Sequence, residues 1–325
     1  MTGQGSNSAA TRRSAYLAVL IAFLLSAGCD EPHDPRTDDV TTEGHVLILA
    51  DEDLRDLVEA ERSMFESIYR DAELDIRYLT ESDLLKATMN DSVRCWIATV
   101  RPGGEQDAYY AGRNIEAEVI PIATDAIAVI ANPAIDLVEL SAGEVLHALT
   151  FPQSFEASGW TLSVNGERLG PPRPWFGSAG GGIARALVDS LVGPVAEQRI
   201  VGKADPDLPA LIERIANDPL ALGFVPFCAL SDLDQPRMKA LRERVKLLAI
   251  STSDTTRAVL PSQSTLADGS YPLRRPVYMI LVEGKSGLGT GFVSFVANHK
   301  GQRIILKHGI APNKVPPREI EVVSP

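Results

Sequence analysis

Glu118-Val119-Ile120-Pro121-Ile122-Ala123-Thr124-Asp125-Ala126-Ile127-Ala128-Val129-Ile130-Ala131 is a long extended run inside a chain that otherwise alternates short strands and helices. Pro121 argues for an edge or a crossing connection, because proline cannot donate to a sheet ladder. A second long run appears late: Pro272-Leu273-Arg274-Arg275-Pro276-Val277-Tyr278-Met279-Ile280-Leu281-Val282. Two such runs flanking a middle α/β block predict two lobes joined by paired crossing strands. Asp125 then lies near the hinge, within reach of Arg274 or Arg275, although a solvated arginine pair is the default expectation.

Outward from the first run, Val46 to Ala50 is an apolar strand, and Leu54, Leu57, Val58, Phe65 and Ile68 follow at helical spacing. Asp75 to Leu79 reads as a strand, Ser82 to Asn90 as a helix and Val93 to Thr99 as a third strand. This alternation implies right-handed βαβ units on a parallel sheet. Ligands on such sheets bind at the carboxyl ends of the strands. Further on, Ser141 to Leu149 reads as a short helix and Trp160 to Leu169 as a hairpin turning at Asn165-Gly166. A loop with three consecutive glycines leads into a helix from about Ile183 to Val192, ended by Gly193-Pro194. Leu208 to Ile215 is helical, Gly223 to Phe227 and Val245 to Ser251 are strands, and helices near 289–298 and 301–308 close the body.

The N-terminus carries an export signal. Arg12 and Arg13 give the positive start, Tyr16 to Leu25 is uncharged and apolar, and Ser26-Ala27-Gly28-Cys29 ends it. The run is too short for a comfortable membrane span. Its ending resembles a bacterial lipobox in which Cys29 becomes the lipidated first residue, with Ser26 where leucine is usual. Residues 30–44, with Pro32, Pro35 and several Asp and Thr, read as a flexible tether. The expected division is therefore 1–29 lipoprotein signal, 30–44 tether, 45–122 plus 262–325 lobe I, and 123–261 lobe II.

The chain has 325 residues, 45% hydrophobic and 23% charged, which is a globular composition with room for two cores. Its formal net charge of -12 leaves no electrostatic footprint for nucleic acid or an anionic membrane surface. Any anion site must therefore be local, made of backbone N–H groups and one or two arginines. Of the 3 cysteines, Cys95 and Cys228 lie in strand-like apolar runs and read as buried free thiols; no CxxC pattern is present.

Four segments stand out: residues 121–128, residues 271–278, Gly287-Leu288-Gly289-Thr290-Gly291-Phe292, and Lys300-Gly301-Gln302-Arg303-Ile304-Ile305-Leu306-Lys307-His308-Gly309. Together they resemble the phosphate-binding components of bacterial ABC uptake systems, within the type II periplasmic binding-protein fold. The resemblance implies a clamshell of two α/β lobes, each a mixed sheet flanked by helices, closing on inorganic phosphate or a similar oxyanion. It also implies delivery to ABC permease subunits, no catalysis, no cofactor and no metal, and a monomer in the periplasm or at the cell surface, held to the membrane by its lipid anchor alone.

The anion seat is expected at Gly177-Ser178-Ala179-Gly180-Gly181-Gly182 and the helix that follows. Glycines turn backbone N–H groups toward a ligand, and the first N–H groups of a helix favour negative charge. Ser178 adds a hydroxyl and Arg185 a bidentate fork. The family usually has a Ser-Gly-Thr-like arrangement here; glycine replaces much of that hydroxyl complement. Across the cleft, Arg101 follows the third strand, and Asp51 or Glu52 can accept the proton that monohydrogen phosphate carries. Those acids serve equally as caps of the helix beginning near Leu54. Thr80 and Ser82 are further hydroxyl candidates. The alternative function is a binding-protein-like sensor or surface interaction module without transport.

Other patterns fail. Gly284-Lys285-Ser286 lacks the P-loop glycine, since Met279 stands there. Ser178 has Phe176 where a nucleophile elbow needs glycine. His147, His299 and His308 show no metal-ligand spacing.

Overall fold

The computed structural model describes residues 40–150, 161–177, 182–193, 199–205 and 207–315. Cys29, Ser178, Gly180 and Gly181 lie outside the described residues.

In chain order the strands are β1 (Gly44–Asp51), β2 (Ala72–Leu79), β3 (Val93–Ala98), β4 (Glu118–Ala131), β5 (Glu139–Ser141), β6 (Leu162–Val164), β7 (Glu167–Gly170), β8 (Arg173–Phe176), β9 (Lys203–Ala204), β10 (Ala221–Pro226), β11 (Lys246–Leu247), β12 (Ala249–Ser251), β13 (Arg274–Leu281) and β14 (Ala311–Pro312). The helices are α1 (Arg55–Ile68), α2 (Glu81–Ala87), α3 (Glu105–Ala111), α4 (Ala142–Thr150), α5 (Gly182–Leu191), α6 (Leu208–Asn217), α7 (Cys228–Ser231), α8 (Pro236–Glu243), α9 (Gln263–Ala267), α10 (Leu288–Ala297) and α11 (His299–Lys307).

Ten of the described strands make one sheet in the order β2-β1-β3-β13-β4-β10-β8-β9, with β11 and β14 also paired to β4. β1 runs parallel to β2 and β3, as the βαβ reading expects. β4 is the continuous element. Glu118 to Ala126 pairs antiparallel with β13, and Ile127 to Ala131 pairs antiparallel with β10. Its apolar residues Ala126 to Ala131 are fully buried, which is why that stretch reads as an unbroken hydrophobic run. Pro121 sits opposite a register shift between Val277 and Tyr278, and β14 meets β4 only at Ala123 and Thr124. Proline is thus accommodated at a bulge, beyond the second ladder.

Local chemistry fixes the connections. Asn165 and Gly166 take positive φ (52° and 78°) and turn β6 into β7, as the hairpin signal predicts. Thr80, not Ser82, caps α2 by accepting the Asp83 N–H. Glu283 caps α10, accepting N–H bonds from Gly287 (3.2 Å), Gly289 (3.1 Å) and Thr290 (2.9 Å). A Cβ on residue 291 would lie 1.7 Å from the Thr41 carbonyl oxygen, so Gly291 lets the chain just before β1 lie directly on α10. The end of the expected tether is therefore part of the folded body, which begins no later than Val40 rather than at residue 45. Cys95 and Cys228 are free and buried.

Strands β5, β8, β9 and β14 escape the sequence reading because none exceeds 4 residues, too short for an alternation to show. α8 escapes because Met238 is its one buried residue.

Glu61 lies in the apolar stripe of α1, with Leu57, Val58 and Phe65. Neither carboxylate oxygen has a hydrogen-bond partner among the described residues, and burial pushes its pKa up to about 9. The folded protein holds this proton where the unfolded chain, with an ordinary value of 4.5, releases it. Stability from this site is therefore lost as pH rises between those values. Glu61→Met is expected to raise stability by about 1–3 kcal/mol at pH 8, with the gain shrinking toward pH 5. Thermal melts across pH check this, and a pH-independent difference contradicts it.

Candidate functional site

The carboxyl ends of β1, β8 and β10 converge on one cavity. Glu52, Asp53 and Arg55 follow β1, Gly177 follows β8, and Pro226 ends β10. Asp207 and Leu208 at the start of α6, Cys228, and Arg237 of α8 complete the wall around about 330 Å³. This is where ligands sit on open α/β sheets. Its fixed charges are mostly negative: Glu52, Asp53, Asp56 and Asp207 face Arg55 and Arg237.

Beneath it lies a buried ion cluster. Arg275 is the direct ladder partner of Asp125 across β13 and β4. Its Nε donates to Asp125 Oδ2 at 3.0 Å and its Nη1 to Asp53 Oδ2 at 3.0 Å. The other Asp125 oxygen accepts the Cys228 N–H at 2.9 Å, which ties the start of α7 to the same carboxylate. Burial works against the Arg275 charge, but Asp125 and Asp53 outweigh it and hold the guanidinium firmly protonated. Arg275, not Arg274, is thus the partner of Asp125; Arg274 stays at the surface.

Asp51 shows the cost of crowding. It caps the turn after β1 through Oδ1, while Oδ2 finds no hydrogen-bond partner among the described residues. Burial first, and then the Asp53 charge, push its pKa up to about 7. One proton is therefore shared out near neutrality in a group where Arg275 faces several carboxylates. The capping role expected for Asp51 is observed. Glu52 lines the cavity half-buried, its pKa raised by burial and by Asp53.

Arg185, one turn inside α5, does meet residues of the β2 and β3 ends. Its Nε reaches Glu81 Oε1 at 2.7 Å and its Nη2 reaches Glu81 Oε2 at 2.6 Å. Nη1 reaches Asp189 Oδ2 at 2.6 Å, and Thr99 Oγ1 lies 3.3 Å from Nη2. Gly182 is buried at the start of α5, beside Glu81. Asp53 lines the cavity wall, whereas Arg185 and Glu81 are not among its lining residues.

Arg101 goes elsewhere. Its guanidinium stacks 4.9 Å over the Tyr278 ring and lines a separate cavity with Asp107, Tyr110 and Glu116. No contact among the described residues joins it to Arg185. Sequence reasoning missed Glu81, Asp189 and the cavity arginines Arg55 and Arg237. Glu81 stands between the hydroxyl candidates Thr80 and Ser82, and as the first residue of α2 it reads as an ordinary helix-start acid.

The fold is similar to that of solved structures. A phosphate-bound ABC transporter substrate-binding protein from Clostridium perfringens superposes with a TM-score of 0.63 at 17% identity, covering 83% of this chain and 100% of its own. An ABC-type phosphate transport receptor from Vibrio cholerae gives a TM-score of 0.60 at 11% identity, covering 83% and 100%. The fold is the type II periplasmic binding-protein fold. Residues 177–300 match the family model described as a PBP superfamily domain. "Phosphate-binding protein PstS 2" of Streptococcus pneumoniae is 25% identical over 124 residues. That match takes in 38% of this chain and spans about a third of the relative, 36% of its length. Among the described residues, no helix is long and apolar enough to cross a membrane.

Removing Arg275 leaves Asp53 and Asp125 buried without their cation. Arg275→Met is therefore expected to cost about 3–5 kcal/mol, read by urea unfolding. A loss below about 1 kcal/mol would show that the cluster is not held by this ion pair.

Proposed function

We propose that the chain is the substrate-binding component of an ABC-type uptake system, capturing phosphate or a similar small oxyanion between two closing lobes. The observation that carries this reading is Arg185. It is a partly buried guanidinium one turn inside a glycine-led helix, in a fold whose Clostridium perfringens relative was solved with bound phosphate. Gly177, which opens the glycine-rich segment before that helix, lines the strand-end cavity that this reading takes as the crevice.

In this reading the lobes are 45–122 plus 262–325 (with the packed residues 40–44 added) and 123–261, with β4 and β13 as the crossing strands. Arg185 supplies the fork, and the backbone from Gly180 to Gly182 with the Ser178 hydroxyl supplies the remaining donors. Asp51 or Glu52 is the acid that accepts a hydrogen bond from a protonated oxyanion. The receptor is exported, anchored through lipidated Cys29, works as a monomer, and delivers its ligand to permease subunits without chemistry of its own.

Phosphate, arsenate, sulfate and molybdate titrations, followed by calorimetry and tryptophan fluorescence, test this. Saturable binding of at least one anion is expected. Arg185→Ala should weaken it by about 1.5–3 kcal/mol, the size of a charge-assisted hydrogen bond. No response to any of the four contradicts oxyanion capture and favours a binding-protein-like module without a transport role.

A further inference from the structure

Arg185 already holds an anion. Glu81 presents both carboxylate oxygens to Nε and Nη2, the planar two-bond arrangement that an oxyanion edge makes with a guanidinium. Asp189 takes Nη1. Every nitrogen of the fork is therefore occupied, and Thr99 Oγ1 adds a contact to Glu81 Oε2 at 3.4 Å.

Helix chemistry alone does not explain this. An acid in the first turn of α2 is favourable while solvated. Glu81 is instead turned inward, its side chain only 6% exposed, against a helix 104 residues further along the chain. Position 182 makes room for it: a Cβ there would sit 3.3 Å from both Cβ and Oε2 of Glu81. The glycine leading α5 thus admits a carboxylate from the facing side of the molecule. Glu283 gives the contrast. It caps its own neighbouring helix through three backbone N–H bonds and the Thr290 hydroxyl, and a Cβ at Gly289 would lie 2.6 Å from it. That is a fixed, sequence-local cap. The partners of Glu81 are side chains, a guanidinium and a hydroxyl, which can exchange one oxyanion for another.

We infer that Glu81 is an internal stand-in for the oxyanion: it fills the Arg185 fork in the ligand-free protein and must leave before an oxyanion binds there. Glu81 thereby sets the affinity of the site. This rests on the oxyanion reading above and concerns the regulation of that same site.

The test is calorimetry with phosphate, arsenate and sulfate on wild type, Glu81→Ala, Glu81→Gln and the double variant Glu81→Ala/Arg185→Ala. Glu81→Gln keeps the side chain's size and removes its charge, so it covers the case in which the alanine variant folds poorly. Removing the competitor is expected to tighten binding about tenfold to a hundredfold, the equivalent of one charge-assisted bond. The gain should vanish in the double variant. Binding by the Glu81 variants alone, with none by wild type, supports the same conclusion in its strongest form. Wild-type binding that is unchanged or weakened in both Glu81 variants overturns the stand-in role and leaves oxyanion capture standing. Binding by none of the proteins overturns oxyanion capture itself, and the stand-in role with it.

Discussion

Arg275 lies opposite Asp125 in the ladder between β13 and β4, and this one buried cross-strand pair fixes where the two parts of the sheet meet. β4 changes partner from β13 to β10 one residue beyond Asp125, between Ala126 and Ile127. The same guanidinium draws in Asp53 from the loop after β1, and the same aspartate anchors the start of α7. Four separate segments of chain thus converge on a single ion pair under the cavity floor. Buried charges are costly unless paired and hydrogen-bonded. Here the cost is met by charge-assisted bonds, and Asp51 avoids it in part by a raised pKa.

The site above is more acidic than an anion seat suggests. The net charge of -12 already denies the chain a broad positive field. Within the cavity, carboxylates outnumber guanidinium groups. If the proposed oxyanion capture holds, attraction comes from short, directed donors rather than from potential, with the partly buried Arg185 guanidinium as one of them. Under the stand-in role proposed for Glu81, that guanidinium is paired with Glu81 and Asp189 when no ligand is present. An arrangement of this kind trades affinity for a stable empty state.

The sequence made much of this legible where the physics is local or periodic. β1 to β4, β10 and β13 are visible as apolar runs, and β4 is read to its ends because its length and burial are unusual. The Asp125–arginine pairing follows from two long runs lying side by side, although only the ladder register chooses Arg275 over Arg274. Arg101 was legible as a strand-end cation but not as a partner of Tyr278, because stacking across β3 and β13 depends on side-chain direction. Glu81 was hidden for the same reason. Its partner is 104 residues away, and its local role as a helix-start acid is sufficient to account for it in one dimension.

The most direct measurement is a crystal structure of the wild-type protein grown with arsenate, with data collected at the arsenic edge. An anomalous peak within hydrogen-bonding distance of the Arg185 guanidinium, with the Glu81 carboxylate turned away from it, is the predicted result. A map in which Glu81 keeps both bonds to Arg185 and arsenic lies elsewhere, or nowhere, would contradict the account.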